Sequence, residues 1–401
     1  MLLRDYVAMS LYQEEVGYFT GRDVVGSVSG KGSNQGLDFS EILGQREYKE
    51  VLDRMYREGG ESWLTPSEIF HPWYARAVAR YVLEGMEKNG QSKLIVMEIG
   101  PGNGTFALGF LDYVREVNSQ VYESMEYEMV EISASLAQTQ RERVCGQHAC
   151  AKVTNCDASN RIRDQAEEVE GFHVLMGMEV LDNMPHDKVV VKGGKLYEAW
   201  AVDAGNGVWR EELRMLSDPQ LRRALSLWGL ESEIGIETES VVPHPSRVGS
   251  MDRLRRILGV GQDTAYVPTV ATGLLEGIAR RRKCHVIFAD FDHLPDGLGG
   301  LNGPVVQSKR RGTNTVHRGI FSAPLGTADI FFPTDFERLG RVWTYLTGEQ
   351  ATTIKHSTFC SRFGEVERTR CLLGFNPLLE DYGNFSMLLG DAGNCCPTQN
   401  H

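Results

Sequence analysis

The sequence predicts an α/β protein built on a mostly parallel, twisted sheet with helices on both faces. Two observations predict this class. From residue 93 onward, short apolar runs such as KLIVMEIG (93–100) alternate with segments of helical periodicity such as TFALGFLDYVREV (105–117). A glycine-rich turn joins that first strand to its helix. Strands alternating with helices of about 10 to 15 residues are typical of parallel sheets.

Residues 1–90 are expected to form a helical and loop region ahead of the sheet. A helix is predicted around 39–57, and Thr65 begins another, with Pro66 at its first position and Glu68 three residues after the cap. This spacing is a capping box, in which the two side chains bond each other's backbone N–H groups. Pro72 has no N–H group and should interrupt this helix.

The sheet and its helices are predicted over 91–300. Further strand-like runs are EYEMVEIS (126–133), AKVTNCD (151–157), FHVLMGMEV (172–180) and CHVIFADFD (284–292). A hairpin is expected to turn at Gly193 and Gly194, because paired glycines suit tight turns between strands. The polar, weakly periodic stretch at about 205–265 indicates an insertion. Residues 301–401 are expected to complete the fold and to cover the cleft.

The charge balance disfavours some function classes. The 401 residues include 42 Lys and Arg against 54 Asp and Glu, which gives a net charge of −12. Diffuse binding to nucleic acid or to an anionic membrane is therefore not expected as the main activity. No apolar run approaches the roughly 18 residues of a transmembrane helix, so no membrane insertion is expected. Two basic runs, ARRRK (279–283) and SKRR (308–311), leave local contact with RNA or an acidic protein surface open.

The eight cysteines show no sign of a metal site. The sequence contains no CxxC pair and no Cys/His spacing typical of zinc ligands. Reduced thiols in an intracellular compartment are the expectation for a chain of this length. The first residues, MLLRDYVAMSLYQEE, match neither a signal peptide nor an Arg-rich transit segment.

The strongest local signal is the run EIGPGNGT (98–105), which follows a strand and begins a helix. Its glycines allow a tight turn and the close approach of a ligand, and the helix N-terminus offers free N–H groups to a carboxylate or phosphate. Glu98 with Gly100, Gly102 and Gly104 fits the pattern E/D-x-G-x-G-x-G of Rossmann-type S-adenosylmethionine enzymes. Gly102, Gly104 and Ala107 fit the dinucleotide pattern G-x-G-x-x-G/A more loosely.

Acids at successive strand ends favour S-adenosylmethionine over a nicotinamide or flavin cofactor. Glu131 ends the second predicted strand, where an acid holds the ribose hydroxyl groups of a nucleotide. Asp157 follows the third strand, where it could accept a hydrogen bond from an adenine amino group. A glycine-rich turn without any ligand stays open as the alternative.

The motifs taken together resemble the MidA-like methyltransferases, which are related to the mitochondrial arginine methyltransferase that assists the assembly of respiratory complex I. The amino-acid sequences of these motifs are most similar to those of a divergent eukaryotic branch of the family. The matching segments occur in family order up to about residue 390: VGYFT (16–20), LTPSEIF (64–70), EIGPGNGT (98–105), EVLDNMPHD (179–187), ADIFFPTDF (328–336) and GFNPLLEDY (374–382).

The resemblance implies a Rossmann-type class I methyltransferase fold, S-adenosyl-L-methionine as methyl donor and a protein arginine as favoured acceptor. It also implies a location in the mitochondrial matrix and a protein partner or large mitochondrial assembly. In the family's pattern Glu68 would reach the donor. Better-studied relatives carry Asn-Glu-Phe-Phe-Asp-Ala-x-Pro after the fourth strand. Here Met178 stands where that Asn would be, while Glu179 and Asp182 keep the two acids.

Glu179 and Asp182 are the candidate acceptor-binding residues, because they follow a strand at the edge where open α/β sheets bind ligands. Carboxylates bonded to a guanidinium would hold its plane and stabilise charge during methyl transfer. His186 is the candidate for proton removal. Asp290 and Asp292 could line the same cleft. The structural alternative is that Glu179 caps a turn and Asp182 tethers a loop.

Three functions stay open from the sequence. The first is an S-adenosylmethionine-dependent protein methyltransferase that acts in the assembly of a mitochondrial complex. The second is a methyltransferase fold with weak or no turnover, retained as an assembly or structural factor of a mitochondrial ribosome or respiratory complex. The lost amide at Met178, the insertion at about 205–265 and the two basic runs favour it. The third is the methylation of RNA.

Overall fold

The structure is a computed structural model that describes residues 1–22, 24–26, 36–58, 63–164, 170–235, 263–280, 284–310 and 313–391. In chain order the strands are β1 (Leu94–Ile99), β2 (Glu126–Glu131), β3 (Ala151–Asn155), β4 (Phe172–Met178), β5 (Asp187–Lys192), β6 (Lys195–Asp203), β7 (Trp209–Met215), β8 (Thr264–Val267), β9 (Cys284–Phe291), β10 (Val305–Arg310), β11 (Thr313–Val316), β12 (Asp329–Phe331), β13 (Ala351–Lys355) and β14 (Phe385–Gly390).

The helices, also in chain order, are α1 (Leu3–Tyr12), α2 (Gln45–Glu58), α3 (Pro66–Ile69), α4 (Trp73–Lys88), α5 (Thr105–Val117), α6 (Ser119–Ser124), α7 (Ala134–Gln140), α8 (Ala158–Asp164), α9 (Pro219–Leu227), α10 (Leu230–Glu233), α11 (Thr269–Ala279), α12 (Phe336–Thr347), α13 (His356–Phe363) and α14 (Pro377–Glu380). None of the helices in these described ranges is both long enough and apolar enough to cross a membrane.

The central sheet has seven strands in the order β13-β14-β9-β4-β1-β2-β3. Neighbouring strands among β3, β2, β1, β4 and β9 run parallel to each other, and β14 lies antiparallel between β9 and β13. This confirms the predicted mostly parallel sheet. The carboxyl ends of β1, β2, β3 and β4 consequently meet at one edge of the sheet, where ligands bind in open α/β folds.

Helices cover both faces of this sheet, as predicted. Successive side chains of a strand point to opposite faces, and β4 shows the result. Val174 and Met176 are buried in the cluster that includes residues of α4 and α5, while Leu175 is buried in the cluster that includes residues of α11 and α12. Near-continuous apolar strands of this kind require cover on both sides.

Two smaller antiparallel sheets lie beside the central one, in the orders β7-β6-β5-β8 and β11-β10-β12. The predicted hairpin is present, since β5 and β6 pair on either side of Gly193 and Gly194, which both have positive φ. Helix α1 packs against these sheets. Its Tyr6 is buried in one cluster with Ala199 of β6 and Val306 of β10.

The stretch at 205–265 that the sequence indicates as an insertion contains β7, α9, α10 and the start of β8, while residues 236–262 lie outside the described ones. Arg4 of α1 is bound to this region. Its guanidinium contacts Asp187 at 2.6 Å and Asp218, the N-cap of α9, at 2.9 Å. Near the C-terminus, β13 and β14 add to the central sheet. The predicted domain limits stay predictions.

The predicted break at Pro72 separates α3 from α4. Thr65 caps α3, because its Oγ1 accepts a hydrogen bond from the Glu68 N–H at 3.3 Å. The other half of the capping box differs from the prediction. The Glu68 carboxylate accepts hydrogen bonds from Thr105 and Asn103 instead, which brings this acid to the turn between β1 and α5.

Candidate active site

A cavity of about 550 Å³ opens at the carboxyl ends of β1 to β4. This volume lies within the range of small-molecule sites. Among the described residues, none of the side chains that line it is Lys, Arg or His, and Coulomb attraction therefore favours a cationic ligand over one that carries phosphate. Seven of the lining residues are acids: Glu68, Glu98, Glu131, Asp157, Glu179, Asp182 and Asp329.

The turn between β1 and α5 forms one wall of the cavity. Gly100, Gly102 and Gly104 have φ angles of 62°, 54° and 76°, a left-handed conformation that favours glycine. A Cβ on Gly104 would lie 2.7 Å from Val144 Cγ2, so packing against Val144 disfavours any side chain at this position. On Gly102 the nearest described atom to a Cβ would be Val25 Cγ1 at 3.6 Å. The backbone at Gly102 is thus open to the cavity.

Glu98 and Glu131 line the cavity at the ends of β1 and β2. Tyr127 O–H donates to Glu98 Oε2 at 2.7 Å, and burial raises the pKa of Glu98 to about 8. The Glu131 carboxylate accepts from the Ser133 N–H at 2.8 Å and from Gln140 Nε2 at 3.1 Å, and burial raises its pKa to about 7. Both acids lie where the sequence places them.

Gln140 is a residue that the sequence reasoning missed. Its Nε2 also donates to the Gly102 carbonyl at 2.7 Å, so one amide joins the glycine turn to the acid at the end of β2. The sequence holds no signal for this contact, because Gln140 is the last residue of an ordinary-looking helix, α7.

Asp157 also lines the cavity, just before α8. Its Oδ1 accepts from the N–H groups of Ser159 at 2.8 Å and Asn160 at 3.2 Å. These bonds satisfy two of the free donors at the start of α8. The adenine contact predicted for this carboxyl group therefore has to coexist with helix capping, and it stays a prediction.

Glu68 reaches the glycine turn from α3. Its Oε1 accepts from Thr105 Oγ1 at 2.7 Å and from Asn103 Nδ2 at 3.3 Å, and burial raises its pKa. Asn103 Nδ2 also donates to the carbonyl groups of Val25 and Gly26, at 3.2 and 3.1 Å. This network fixes residues 24–26 beside the turn and closes that side of the cavity.

The loop after β4 carries the two predicted acceptor-binding acids, and both line the cavity. Glu179 has a φ of 55°, and its N–H donates to the Ala289 carbonyl at 2.8 Å. Burial, followed by the charge of Asp290, raises the pKa of both Glu179 and Asp182 well above the ordinary range. Asp182 is only 5% exposed, and its Oδ1 has no hydrogen-bond partner among the described residues.

Asp290 tethers this loop. In the sequence analysis, the structural alternative gives this role to Asp182. Asp290 Oδ2 accepts from the N–H groups of Leu181 and Asp182 at 2.9 and 3.0 Å, and Oδ1 accepts from the Phe291 N–H at 2.8 Å. Three backbone donors are therefore satisfied by one buried carboxyl group. Asp182 is held by its backbone, and its side chain, which lines the cavity, also shares a hydrogen bond with the Asp290 carboxyl group.

His186 lies apart from these acids and does not line the cavity. Its ring stacks on Phe332 with centroids 4.0 Å apart, and Nδ1 donates to the Met184 carbonyl at 2.7 Å. Burial lowers the pKa of His186 to about 3, so the ring is neutral at physiological pH. The structure does not bring His186 together with Glu179 and Asp182, because β5 begins at the next residue and carries the ring into the protein interior.

Met178 occupies the end of β4, where relatives of the predicted family carry Asn. It lines the cavity, and the Tyr74 O–H contacts its Sδ at 3.4 Å. A thioether is a weak acceptor and no donor. This position therefore cannot hold an acceptor by an amide hydrogen bond.

Tyr12, Asn183 and Asp329 complete the same end of the cavity. Tyr12 O–H donates to the Asn183 carbonyl at 3.0 Å, and Asn183 Nδ2 donates to Asp329 Oδ1 at 2.8 Å. Burial raises the pKa of Asp329 to about 7. The sequence reasoning used the segment ADIFFPTDF for the resemblance and did not single out this acid, because nothing local places β12 beside the loop after β4.

The two basic runs differ in exposure where they are described: Arg280 is exposed, whereas Lys309 is buried. Residues 281–283 lie outside the described ones. Lys309 is only 6% exposed, and its Nζ lies 4.4 Å from the ring centroid of Tyr56 and 5.2 Å from that of Trp63. Both rings line the cavity. Within the described ranges, no group of three or more His, Cys, Asp and Glu side chains is arranged to hold a metal ion. RNA contact stays a prediction.

Comparison with known proteins bears on the ligand of this cavity. A family model described as "Putative S-adenosyl-L-methionine-dependent methyltransferase" matches residues 77–354. The chain is similar to a crystal structure from Burkholderia thailandensis bound to S-adenosyl-homocysteine, with 16% identity over 99% of this chain and 89% of that chain and a TM-score of 0.62.

A native crystal structure of an uncharacterized protein from the same organism is similar too, with 16% identity over 99% of this chain and 88% of that chain and a TM-score of 0.58. At 16% sequence identity, the similarity to these two structures shows the fold alone. No curated protein matches the sequence.

Proposed function

Because the chain belongs to this family of S-adenosyl-L-methionine-dependent methyltransferases, we propose that it methylates a protein, with arginine as the favoured acceptor. S-adenosyl-L-methionine is the cofactor, and it supplies a methyl group on a sulfonium leaving group when bound. We also propose the mitochondrial matrix as the location and the assembly of a mitochondrial complex as the context. These last two rest on the resemblance of the sequence motifs.

The cavity fits this cofactor. Gly102 offers open backbone beside Glu98, and the amino-acid end of the cofactor would bind there. The Glu131 carboxylate, oriented by Ser133 and Gln140, would hold the ribose hydroxyl groups, and Asp157 would accept from the adenine amino group. A sulfonium is a cation, and a cavity lined by acids stabilises one.

One observation carries the choice of acceptor: acids line the cavity, and none of its described lining side chains is basic. A guanidinium keeps its positive charge at physiological pH and forms paired hydrogen bonds with carboxylates. Glu179 and Asp182 would bind it and align its nitrogen with the methyl group, which is most of what methyl transfer requires. RNA would bring phosphate groups towards these acids, so the same observation disfavours it.

Calorimetric titration with S-adenosyl-homocysteine tests the cofactor site. We expect saturable binding by the wild type and at least tenfold weaker binding by Glu131→Ala, because the ribose would lose its carboxylate partner. Glu142→Ala is the matched control, since Glu142 is exposed, does not line the cavity, and its side chain bonds only to Gln138 among the described residues. Absence of any affinity in the wild type would refute the proposal.

Methyl-labelled S-adenosyl-L-methionine tests the acceptor. Purified protein is incubated with a mitochondrial extract, and the labelled product is analysed by mass spectrometry. We expect label on arginine residues of protein. Label in RNA alone would contradict the proposed acceptor while leaving the cofactor site intact.

The environment of Met178 favours a second candidate, a methyltransferase fold that serves as an assembly factor with little turnover. Under this alternative, Glu179→Gln together with Asp182→Asn would abolish methylation yet leave assembly of the partner complex unchanged. Failure of assembly at normal protein levels would count against it.

A further inference from the structure

Two carboxyl groups at the acceptor end of the cavity have bonding capacity that the protein does not use. Asp182 lines the cavity, its buried Oδ1 accepts no N–H or O–H donor of another described residue, and its carboxyl group shares a hydrogen bond with the Asp290 carboxyl group. The Asp329 carboxylate accepts one side-chain hydrogen bond, from Asn183. Because two carboxylate oxygens have about four lone-pair positions between them, each of these aspartates can accept further donors.

The neighbouring acid Asp290 differs from them. Its two oxygens already accept three backbone N–H groups, and its side chain is fully buried. Asp290 therefore shapes the loop after β4 and is not among the lining residues of the cavity. Its charge, with those of Asp329 and Glu179, disfavours an unpaired negative charge on Asp182.

Asp182 and Asp329 are fixed relative to each other by direct bonds between the loop after β4 and β12. The Phe332 N–H donates to the Asp182 carbonyl at 2.8 Å, and Asn183 Nδ2 donates to Asp329 at 2.8 Å. Tyr12 of α1 holds the same loop through the Asn183 carbonyl at 3.0 Å. The two carboxyl groups thus form a positioned pair rather than two mobile surface acids.

We propose that Asp329 and Asp182 together bind the guanidinium of the acceptor arginine, a role that rests on the proposed function and that the sequence did not assign to Asp329. A guanidinium has five N–H donors in one plane, which suits two carboxylates better than the three donors of an ammonium. Tyr12 and Phe19 both line the cavity and stack with centroids 5.8 Å apart, which provides an aromatic wall for a planar cation.

The test is calorimetric titration with N-acetyl-L-arginine amide in the presence of saturating S-adenosyl-homocysteine. N-acetyl-L-citrulline amide is the neutral isostere, and N-acetyl-L-lysine amide is the ammonium probe. We expect the arginine probe to bind the wild type and both other probes to bind at least about tenfold more weakly, because a charge-assisted pair of hydrogen bonds is lost or reduced.

Asp329→Asn and Asp182→Asn are the test variants. Each is expected to weaken binding of the arginine probe by about ten- to a hundredfold, with the affinity for S-adenosyl-homocysteine unchanged within about twofold. Asp203→Asn is the matched control, because it removes one negative charge from the exposed end of β6. It should change neither affinity.

Asp329→Asn should fold, since the amide oxygen can still accept from Asn183, and thermal unfolding checks this. Should it not fold, Asp182→Asn carries the same test, and Asp329→Glu, which moves the charge by one methylene, should give an intermediate affinity. Wild-type affinity in the Asn variants, tighter binding of the lysine probe, or no binding of the arginine probe to the wild type overturns this subsite.

These results are distinguishable from failure of the proposed function. Methylation of protein arginine that persists in Asp329→Asn would refute the subsite and leave the proposed function standing. Absence of S-adenosyl-homocysteine binding in the wild type would refute the proposed function itself.

Discussion

Replacing Gly104 by alanine separates the packing role of the glycine turn from its ligand role. Gly104 has a φ of 76°, and a Cβ there would lie 2.7 Å from Val144 Cγ2. The left-handed conformation costs a non-glycine residue about 1–2 kcal/mol, and overpacking of a core adds about 1–3 kcal/mol. We therefore expect Gly104→Ala to lower the free energy of unfolding by about 2–5 kcal/mol.

Two other glycines serve as controls because they share the backbone conformation without the contact. Gly193 has a φ of 57°, and no described atom lies within 4 Å of the place that a Cβ would take, so Gly193→Ala should show the conformational cost alone, about 1–2 kcal/mol. Gly102→Ala should cost about the same stability, since its nearest neighbour would be 3.6 Å away, but it should weaken cofactor binding because the methyl group faces the cavity.

Urea denaturation measures the stability, and titration with S-adenosyl-homocysteine measures the affinity. Val144→Ala added to Gly104→Ala should recover the overpacking component, which a double-mutant cycle isolates from the cost of Val144→Ala itself. If Gly104→Ala unfolds at the same urea concentration as Gly193→Ala, the contact with Val144 carries no energy and the reasoning is refuted.

Three further predictions concern stability, measured by urea denaturation. Because the pKa values of Glu98 and Glu131 rise in the fold from about 4.5 to about 8 and about 7, the folded protein holds protons that the unfolded chain releases; the free energy of unfolding should fall between pH 5 and pH 8, and a flat profile would contradict this. Asp290→Asn presents an amide donor to at least one of three buried N–H groups and should cost about 1–3 kcal/mol; an unchanged denaturation midpoint would contradict that. Arg4→Met removes the ion-pair partner of the buried Asp187 and should cost about 3–5 kcal/mol, most of which Asp187→Asn in the same chain should recover.

The parts of the fold that the sequence predicts are those with local causes. Alternating apolar strands and amphipathic helices predict the parallel sheet, and the order of the strands confirms it. Pro72 breaks a helix because it lacks an N–H group, and Gly193 and Gly194 turn a hairpin because they accept positive φ. Glu131 lines the cavity because the carboxyl ends of parallel strands share one edge.

The parts that the sequence does not predict depend on contacts between distant segments. Asp290 tethers a loop more than 100 residues earlier in the chain, and Asp329 reaches that loop through Asn183. Such bonds leave no periodic pattern. His186 shows the converse, since its closeness in sequence to Asp182 suggests a shared site, whereas the start of β5 carries its ring onto Phe332.

Desolvation links the electrostatics of the cavity to its ligand. Burying Glu98, Glu131 and Asp329 without cationic side chains raises the pKa of each acid, which means that their charged forms are costly in the empty fold. A bound cation stabilises those charged forms, so its binding is coupled to release of the protons that these acids hold near neutral pH. A sulfonium donor and a guanidinium acceptor both meet this requirement. The acids at the two ends of the cavity would in this way favour the cofactor and the proposed arginine acceptor.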